Sequence, residues 1–160
     1  MLMQKIEDLI GSAAAGGYRQ YHGGFFKVLL SAEQTGGAMA LMDSTLPKGA
    51  EPPPHLHTRE DEMFYLLEGN VQFRIGDTVI DGVPGEAVFA PRQVPHQITI
   101  TTPTARFLTL LTPGDFLAYF LETSVETDAP QVVPPQGPPP AEVIEQMTVR
   151  LREKYGVLFM

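Results

Sequence analysis

The sequence predicts an all-β protein, either a sandwich or a barrel of short strands. Short apolar or alternating segments recur at regular intervals, and glycine and proline residues separate them. The gaps between these segments are too short for the crossover helices that a parallel sheet needs. A length of 160 residues suits one domain with its own hydrophobic core.

Eight segments carry the strand pattern. The clearest is residues 71–75, in which apolar and polar side chains alternate after the turn sequence Glu-Gly-Asn. The pair Gly36 and Gly37, and later the pair Gly76 and Asp77, supply further turns. In chain order, the predicted strands are 25–30, 38–46, 63–67, 71–75, 78–80, 86–90, 96–100 and 106–111.

Three helices are predicted around the strands. Residues 2–10 place apolar side chains at helical spacing and favour a short N-terminal helix. Thr112 and Pro113 are typical of an N-cap and a first helical residue, so a second helix is expected after them. Its apolar face comprises Phe116, Tyr119 and Phe120.

The third helix is predicted from Ala141 to a glycine cap at Gly156. Its apolar stripe comprises Ile144, Met147, Leu151 and Tyr155. Such a stripe is expected to cover the core or a partner subunit. The chain therefore divides into an N-terminal helical segment with a linker (1–20), a β-barrel (21–125), a proline-rich tether (126–140) and a C-terminal helix (141–160).

Composition excludes several classes of partner and site. The net charge is −8 and no cluster of basic residues is present, which disfavours nucleic acid as a partner. The absence of cysteine excludes disulfides, cysteine-ligated metals and thiol catalysis. No apolar run approaches the roughly 18 residues of a membrane span, and charged residues interrupt any signal peptide. We therefore expect a soluble cytoplasmic protein that does not enter a membrane.

The stretch HLHTREDE, residues 55–62, contains two of the four histidines. His55 and His57 are two residues apart, so both imidazoles lie on one face if this part of the chain is a strand. The three prolines that precede them hold the backbone extended. Both rings can therefore approach the same point.

Glu62 can join this pair if residues 58–61 form a turn, because an odd separation would otherwise place it on the opposite face. Alternation along the next strand puts Glu62 on one face with Phe64 and Leu66. The neighbouring acids are the alternatives to Glu62. We expect residues 59–61 to be a solvated part of the turn.

His96 begins a predicted strand face that otherwise carries Ile98 and Ile100. A buried imidazole without a partner costs free energy, and metal ligation would supply the partner. The alternative is a surface turn near His55 and an unrelated core histidine at position 96. His22 has no neighbour at ligand spacing, so we expect it to be structural or exposed.

Three imidazoles and one carboxylate suit one divalent transition metal ion, such as Fe, Mn, Ni, Co, Cu or Zn. If the ion is five- or six-coordinate, four protein ligands leave one or two positions open. Water, dioxygen or a bidentate small-molecule substrate could occupy those positions.

Two motifs in the sequence resemble those of the cupin family. The first is His55-x-His57-x4-Glu62-x6-Gly69. The second is Gly85-x5-Pro91-x-Gln93-x2-His96. The resemblance extends over roughly residues 25–120 and implies the cupin double-stranded β-helix, a jelly-roll barrel with helices packed outside. It also implies that the three histidines and Glu62 bind a metal ion.

The run from Gly36 to Pro113 is similar to the quercetin 2,3-dioxygenase-like branch of single-domain cupins. This resemblance implies a metal-dependent dioxygenase that acts on an aromatic or enediol small molecule, with Glu62 as metal ligand and general base. The alternatives are a non-oxidative cupin isomerase or lyase, and a non-catalytic small-molecule-binding cupin. Because cupins of this type commonly pair, we expect a homodimer.

Two positions depart from the usual second motif, which has Gly where this chain has Gln93 and Asn where it has Ile100. Alternation also predicts an apolar substrate pocket beside the metal. Its candidate lining is Met42, Phe64, Leu66, Ile98, Ile100 and Phe107. The alternative is that these side chains simply fill the barrel.

Overall fold

The computed structural model describes residues 16–160, so the helix predicted at residues 2–10 lies outside the described residues. The strands are β1 Tyr18–Tyr21, β2 Gly24–Leu30, β3 Ala40–Pro47, β4 His55–His57, β5 Asp61–Glu68, β6 Val71–Ile75, β7 Thr78–Gly82, β8 Ala87–Ala90, β9 His96–Ile100, β10 Thr104–Thr112, β11 Val125–Thr127 and β12 Val157–Phe159. The α-helices are α1 Leu117–Thr123 and α2 Ala141–Arg150. A 3-10 turn, Gly114–Phe116, precedes α1, and a π-helical turn, Leu151–Tyr155, follows α2.

The strands form two antiparallel sheets, which together make a jelly-roll barrel. The seven-stranded sheet has the order β11-β1-β2-β3-β10-β5-β8, and the five-stranded sheet has the order β12-β4-β9-β6-β7. Buried side chains from both sheets meet in one core cluster, in which Phe64 of β5 and Phe107 of β10 contact each other and Phe64 contacts Phe73 of β6. The all-β prediction is confirmed.

Alternation of apolar and polar residues predicted most of the strands, because a strand that packs on the core buries one face. On β5, Glu62, Phe64 and Leu66 are buried, whereas Tyr65 between them is 37% exposed. Each of the eight predicted segments contains a strand, although β3 begins two residues and β8 one residue after the predicted start. The loop between β8 and β9 lies against the end of β4, where the Gln93 N–H donates to the His57 carbonyl oxygen.

The strands β1, β11 and β12 were not predicted from the sequence, and β4 was considered only as a possible strand. The first two, YRQY and VET, pair with each other at the edge of the larger sheet and carry few apolar residues. The third, VLF, is apolar but only three residues long. Each of them is stabilised by a partner distant in sequence, which a local pattern does not indicate.

The C-terminal helix buries only the far end of its predicted apolar stripe. Ile144 on α2 is 38% exposed, whereas Leu151 and Tyr155 in the π-helical turn are buried. Gly156 has φ of 69° and ends the helix as a left-handed cap, which confirms that prediction. The chain then continues into β12.

A second core cluster packs the two helical regions against one end of the barrel. The predicted helix after Pro113 contributes Phe116 and Tyr119, whose rings stack 5.3 Å apart. Leu151, Tyr155 and Val157 come from the C-terminal segment. Among the helices of residues 16–160, none combines the length and apolar character that crossing a membrane requires.

Candidate metal centre

The two sheets bring four potential ligand residues together in the barrel interior. His55 and His57 lie on β4, and His96 lies opposite His55 on β9 of the same sheet. Glu62 lies on β5 of the other sheet. A bend after His57 carries the chain between the sheets, as the sequence predicted. The group therefore spans the space between both sheets.

These four side chains form a compact and buried group. One potential ligand atom from each residue lies within 4.8 Å of those of the other three. His55, His57, Glu62 and His96 are 8%, 1%, 5% and 3% exposed, respectively. Burying four polar side chains is costly unless each finds a partner, and a shared cation provides one for all of them.

Hydrogen bonds on the outer side of the rings set the histidine tautomers. Nδ1 of His55 lies 2.8 Å from the Pro53 carbonyl oxygen, and Nδ1 of His96 lies 3.3 Å from the Val94 carbonyl oxygen. Carbonyl oxygens accept hydrogen bonds but never donate them, so both Nδ1 atoms carry the proton. The inner Nε2 atoms are then left with a lone pair, which is the form that binds a metal ion.

The inner atoms are spaced as ligands of one ion would be. Nε2 of His96 and Nε2 of His57 lie 3.1 Å and 3.5 Å from the same carboxylate oxygen, Oε2 of Glu62. Two ligands at about 2.1 Å from an ion lie roughly 3.0 Å apart at a right angle and roughly 3.4 Å apart at a tetrahedral angle. A lone pair on an imidazole nitrogen repels a carboxylate oxygen at these distances unless a positive charge lies between them. A bound metal ion supplies that charge, and a proton supplies it in the metal-free protein.

The electrostatics of the metal-free group reflect burial and close contact. Burial alone would raise the pKa of Glu62, but the nearby imidazoles of His57, His96 and His55 lower it to about 2. Burial lowers the pKa of His55 to about 4, although Glu62 partly opposes this. Burial also disfavours the charged form of His57, but the carboxylates of Glu62 and Glu60 outweigh it and raise its pKa. Glu62 is therefore ionised at neutral pH, and His57 is the ring that tends to hold a proton.

Glu60 corrects the sequence analysis, which placed residues 59–61 in a solvated turn. Its side chain is 4% exposed, and Oε2 lies 3.4 Å from Nδ1 of His57. Asp61 does point outward, where it forms an ion pair with Arg92 at 2.8 Å. The signal was present in the sequence: the alternation that buries Glu62 and Phe64 reaches back two residues to Glu60. Glu60 is therefore a buried carboxylate that contacts a proposed ligand, His57, without belonging to the four-residue group.

Gln93, the departure from the second cupin motif, supports the strand that carries two of the histidines. Its φ is 66°, the left-handed conformation for which glycine is favoured. Its backbone N–H donates to the His57 carbonyl oxygen at 2.7 Å. Its side-chain amide donates to the Thr58 carbonyl oxygen at 3.0 Å, a bond that glycine could not make. The turn therefore keeps its shape without the glycine.

Aromatic rings lie beside two of the potential ligands. The ring of Phe116 meets the ring of His57 edge-on, with centroids 4.6 Å apart. The ring of Phe159 on β12 lies 5.9 Å from that of His55. Sequence reasoning identified neither residue as part of the site. For Phe116, the signal was its place on the apolar face predicted after Pro113.

The six residues predicted to line a substrate pocket are all buried, at 0% to 7% exposure. The core cluster between the sheets contains Phe64, Leu66, Ile98, Ile100 and Phe107. Met42 belongs to the second core cluster. Packing within the barrel accounts for their burial, and contact with a substrate stays a prediction for all six.

Comparison with known families places the four-residue group in a recognised context. The family profile described as "Cupin domain" matches residues 42–117, which contain all four residues. This stretch of the chain is a cupin domain. A buried group of three histidines and one glutamate fits the metal site of a cupin, and both sequence motifs of this cupin contribute to it. The predicted membership and jelly-roll fold are confirmed.

One curated relative of this cupin is quercetin 2,3-dioxygenase of Bacillus subtilis (strain 168). The two sequences are 26% identical over 94 residues, which cover 59% of this chain and 28% of the relative. The chain therefore matches less than a third of the length of that relative.

Two solved structures have the same fold as this cupin. KdgF from Halomonas sp. superposes with a TM-score of 0.57 and 19% identity, over 65% of this chain and 92% of that protein. A predicted oxalate decarboxylase from Thermotoga maritima gives a TM-score of 0.55 and 23% identity, over 65% and 98% of the two chains. At these identities the likeness concerns the fold.

Proposed function

We propose that this cupin binds one divalent transition metal ion through His55, His57, Glu62 and His96. We further propose that it is a dioxygenase of quercetinase type, acting on an aromatic or enediol small molecule. The observation that carries the proposal is the buried four-residue group, in which the Nε2 atoms of His57 and His96 are directed at Glu62. The similarity to quercetin 2,3-dioxygenase supports the choice of reaction.

The donor set favours a substrate with an ionisable oxygen. The three imidazoles are neutral as ligands and Glu62 contributes one negative charge. A bound divalent ion would act as a Lewis acid with one net positive charge, which favours a phenolate or enolate oxygen nearby. Because this ligand group is buried, water would be kept away from the reacting atoms.

Glu62 is the candidate for moving the substrate proton. The surrounding imidazoles lower its pKa to about 2 despite its burial, so its carboxylate is charged at neutral pH. A charged carboxylate accepts a hydrogen bond from a substrate hydroxyl group and can take its proton. The rings of Phe116 and Phe159, beside His57 and His55, offer flat apolar contacts that suit an aromatic substrate.

Oxygen uptake tests the proposed reaction. Metal-free protein is loaded with Fe, Mn, Co, Ni or Cu in turn, the bound metal is quantified, and oxygen consumption is followed with flavonols as substrates. Uptake with at least one metal is expected. If protein shown to hold metal consumes no oxygen with any of them, the flavonol dioxygenase is wrong. Turnover of a hydroxy-carbonyl compound without oxygen would instead support an isomerase or lyase.

Matched histidine variants test the proposed ligands. We expect His57→Ala and His96→Ala to lose most of the bound metal. His22→Ala is the control, since His22 is exposed and lies outside the ligand group. Equal metal content in all three variants would contradict the assigned site.

We also propose that the chain forms a homodimer. The helix α2 exposes three apolar side chains, Val143, Ile144 and Val149, at 50%, 38% and 37%. A second copy of the chain could cover them. Of the three, Ile144 belongs to the predicted apolar stripe, which was expected to cover the core or a partner subunit. Light scattering at micromolar concentration would give twice the mass of one chain. A mass of one chain would contradict the dimer.

A further inference from the structure

The C-terminal strand β12 lies directly beside the strand that carries two of the proposed ligands. Val157 is paired with His57, and Phe159 is paired with His55. Paired residues of antiparallel strands place their side chains on the same face of the sheet. Val157 is buried and the Phe159 ring lies beside the His55 ring, so both face the metal centre.

The strand β4 depends on this neighbour because its other contacts are few. Within the described residues, its pairing with β9 is recorded at a single position, His55 with His96. Gln93 adds one bond, to the His57 carbonyl oxygen. The three residues before β4 are prolines, which have no N–H to donate to a neighbouring strand.

Hydrogen bonds tie β12 to both ends of β4. The Thr58 N–H and hydroxyl both donate to the Gly156 carbonyl oxygen, at 3.0 Å and 2.7 Å. The Met160 N–H donates to the Pro54 carbonyl oxygen at 3.0 Å. Because hydrogen-bonded pairs alternate along an antiparallel ladder, Leu158 and Leu56 form the central bonded pair.

The start of β12 is itself anchored in the core. Tyr155 is buried against Phe116, and Phe116 contacts His57. A row of three rings therefore runs from Tyr155 in the π-helical turn to His57, a proposed ligand. Gly156 then turns the chain with φ of 69°, and a Cβ at this position would overlap the hydroxyl of Thr58. Its lack of a side chain therefore permits the close approach to β4.

We propose that β12 is a positioning element of the metal centre, which holds His55 and His57 in place by pairing with β4. This inference rests on the metal binding proposed above. It assigns a role in the site to residues 156–160, which lie beyond the stretch that the cupin profile matches. Ligand atoms must be held within about 0.5 Å of their working positions, and a three-residue strand with one outer neighbour depends on that neighbour.

Two substitutions at Leu158 separate pairing from side-chain contacts. Leu158 is 37% exposed, so Leu158→Ala removes an outward side chain and retains the backbone N–H. Leu158→Pro removes the N–H that the ladder directs at β4. Co²⁺ serves as the probe, because competition with a chelator gives its affinity and its absorption bands report ligand geometry.

We expect Leu158→Pro to weaken Co²⁺ binding by about 10-fold or more and to shift the absorption bands. Leu158→Ala should bind within about twofold of the unsubstituted protein, because its pairing is unchanged. If Leu158→Pro keeps the native circular dichroism spectrum and binds Co²⁺ as Leu158→Ala does, the inference is wrong. Failure of the unsubstituted protein to bind Co²⁺ would contradict the proposed metal site instead.

If Leu158→Pro does not fold, a second pair of variants at Thr58 tests the same inference. Thr58→Val removes the hydroxyl that bonds to the Gly156 carbonyl oxygen, and Thr58→Ser retains it. We expect Thr58→Val to bind Co²⁺ about threefold more weakly than Thr58→Ser, since it loses one of the two bonds at this junction. Equal affinities would overturn the inference.

Discussion

Oε2 of Glu60 lies 3.4 Å from Nδ1 of His57, on the side of the ring opposite the proposed metal position, and the two side chains are 4% and 2% exposed. Metal-binding histidines commonly donate their outer N–H to a carboxylate, which orients the ring and makes its other nitrogen a better ligand. Glu60 occupies that place for His57, as the carbonyl oxygens of Pro53 and Val94 do for His55 and His96.

The first prediction concerns this carboxylate. We expect Glu60→Gln to weaken metal affinity by about 10-fold and Glu60→Ala by up to about 100-fold, because the ring of His57 loses its charged acceptor. Competition titration with a chelator measures both affinities. Glu68→Gln is the control, since Glu68 is a largely exposed carboxylate at the end of β5, the strand that begins directly after Glu60. Unchanged affinity in Glu60→Ala would rule out this role.

The second prediction concerns pH. The carboxylates raise the pKa of His57, so the metal-free site tends to hold a proton that a metal ion must displace. Burial lowers the pKa of His55 to about 4, so that ring has already lost its proton near neutral pH. Metal affinity should therefore rise with pH, by at most about 10-fold per pH unit, until His57 is neutral.

Calorimetry in two buffers with different ionisation enthalpies measures this proton release directly. A difference in heat that corresponds to as much as one proton per metal ion is expected at pH values of about 6 to 7. Identical heats in both buffers would contradict the prediction.

The third prediction concerns the left-handed turn at Gln93. Gln93→Ala keeps the unfavourable φ of 66° and loses the bond to Thr58, so we expect a loss of about 1 kcal/mol in the free energy of unfolding. Gln93→Gly loses the same bond but gains a residue that adopts this φ readily. The glycine variant should therefore be more stable than the alanine variant by about 1 kcal/mol in urea unfolding. The reverse order would mean that the turn is not strained.

The fourth prediction compares two motif glycines, Gly69 and Gly85, with φ of 74° and 94°. A Cβ at Gly69 would overlap the carbonyl oxygen of Thr104 and lie 2.7 Å from Oγ1 of Thr102, whereas a Cβ at Gly85 meets no atom within 4 Å in the described structure. Gly85→Ala should cost about 1 kcal/mol, from the backbone conformation.

Gly69→Ala should cost about 3 kcal/mol or more, because backbone atoms must also move. Thermal or urea unfolding of both variants gives the difference. Equal losses would show that the space around Gly69 is not limiting.

Sequence reasoning predicted those features that repeat locally. Most strands were predicted because their buried faces alternate. The grouping of the four residues was predicted because His55, His57 and Glu62 sit at fixed spacing in one short stretch and His96 leads an otherwise apolar strand face. Glu60 was misplaced because its polar neighbours indicate a solvated turn, although the alternation that buries Glu62 and Phe64 reaches back to it. Phe159 was missed for a different reason, since its pairing with His55 joins segments far apart in the chain.

The pairing of β12 with β4 also sets the order in which the site can be assembled. Thr58 and Gly156, which hydrogen-bond where the two strands meet, are 98 residues apart in sequence. At a synthesis rate of roughly 5–20 residues per second, the outer edge of β4 stays without its neighbour for about 5–20 s after the ribosome has added the histidines. During that interval the strand that carries His55 and His57 has an open edge, and only β9 and Gln93 are available to hold it. If the four residues bind a metal ion as proposed, the group that holds it is complete only after β12 has left the ribosome, and the ion would be acquired after the histidines have been synthesised.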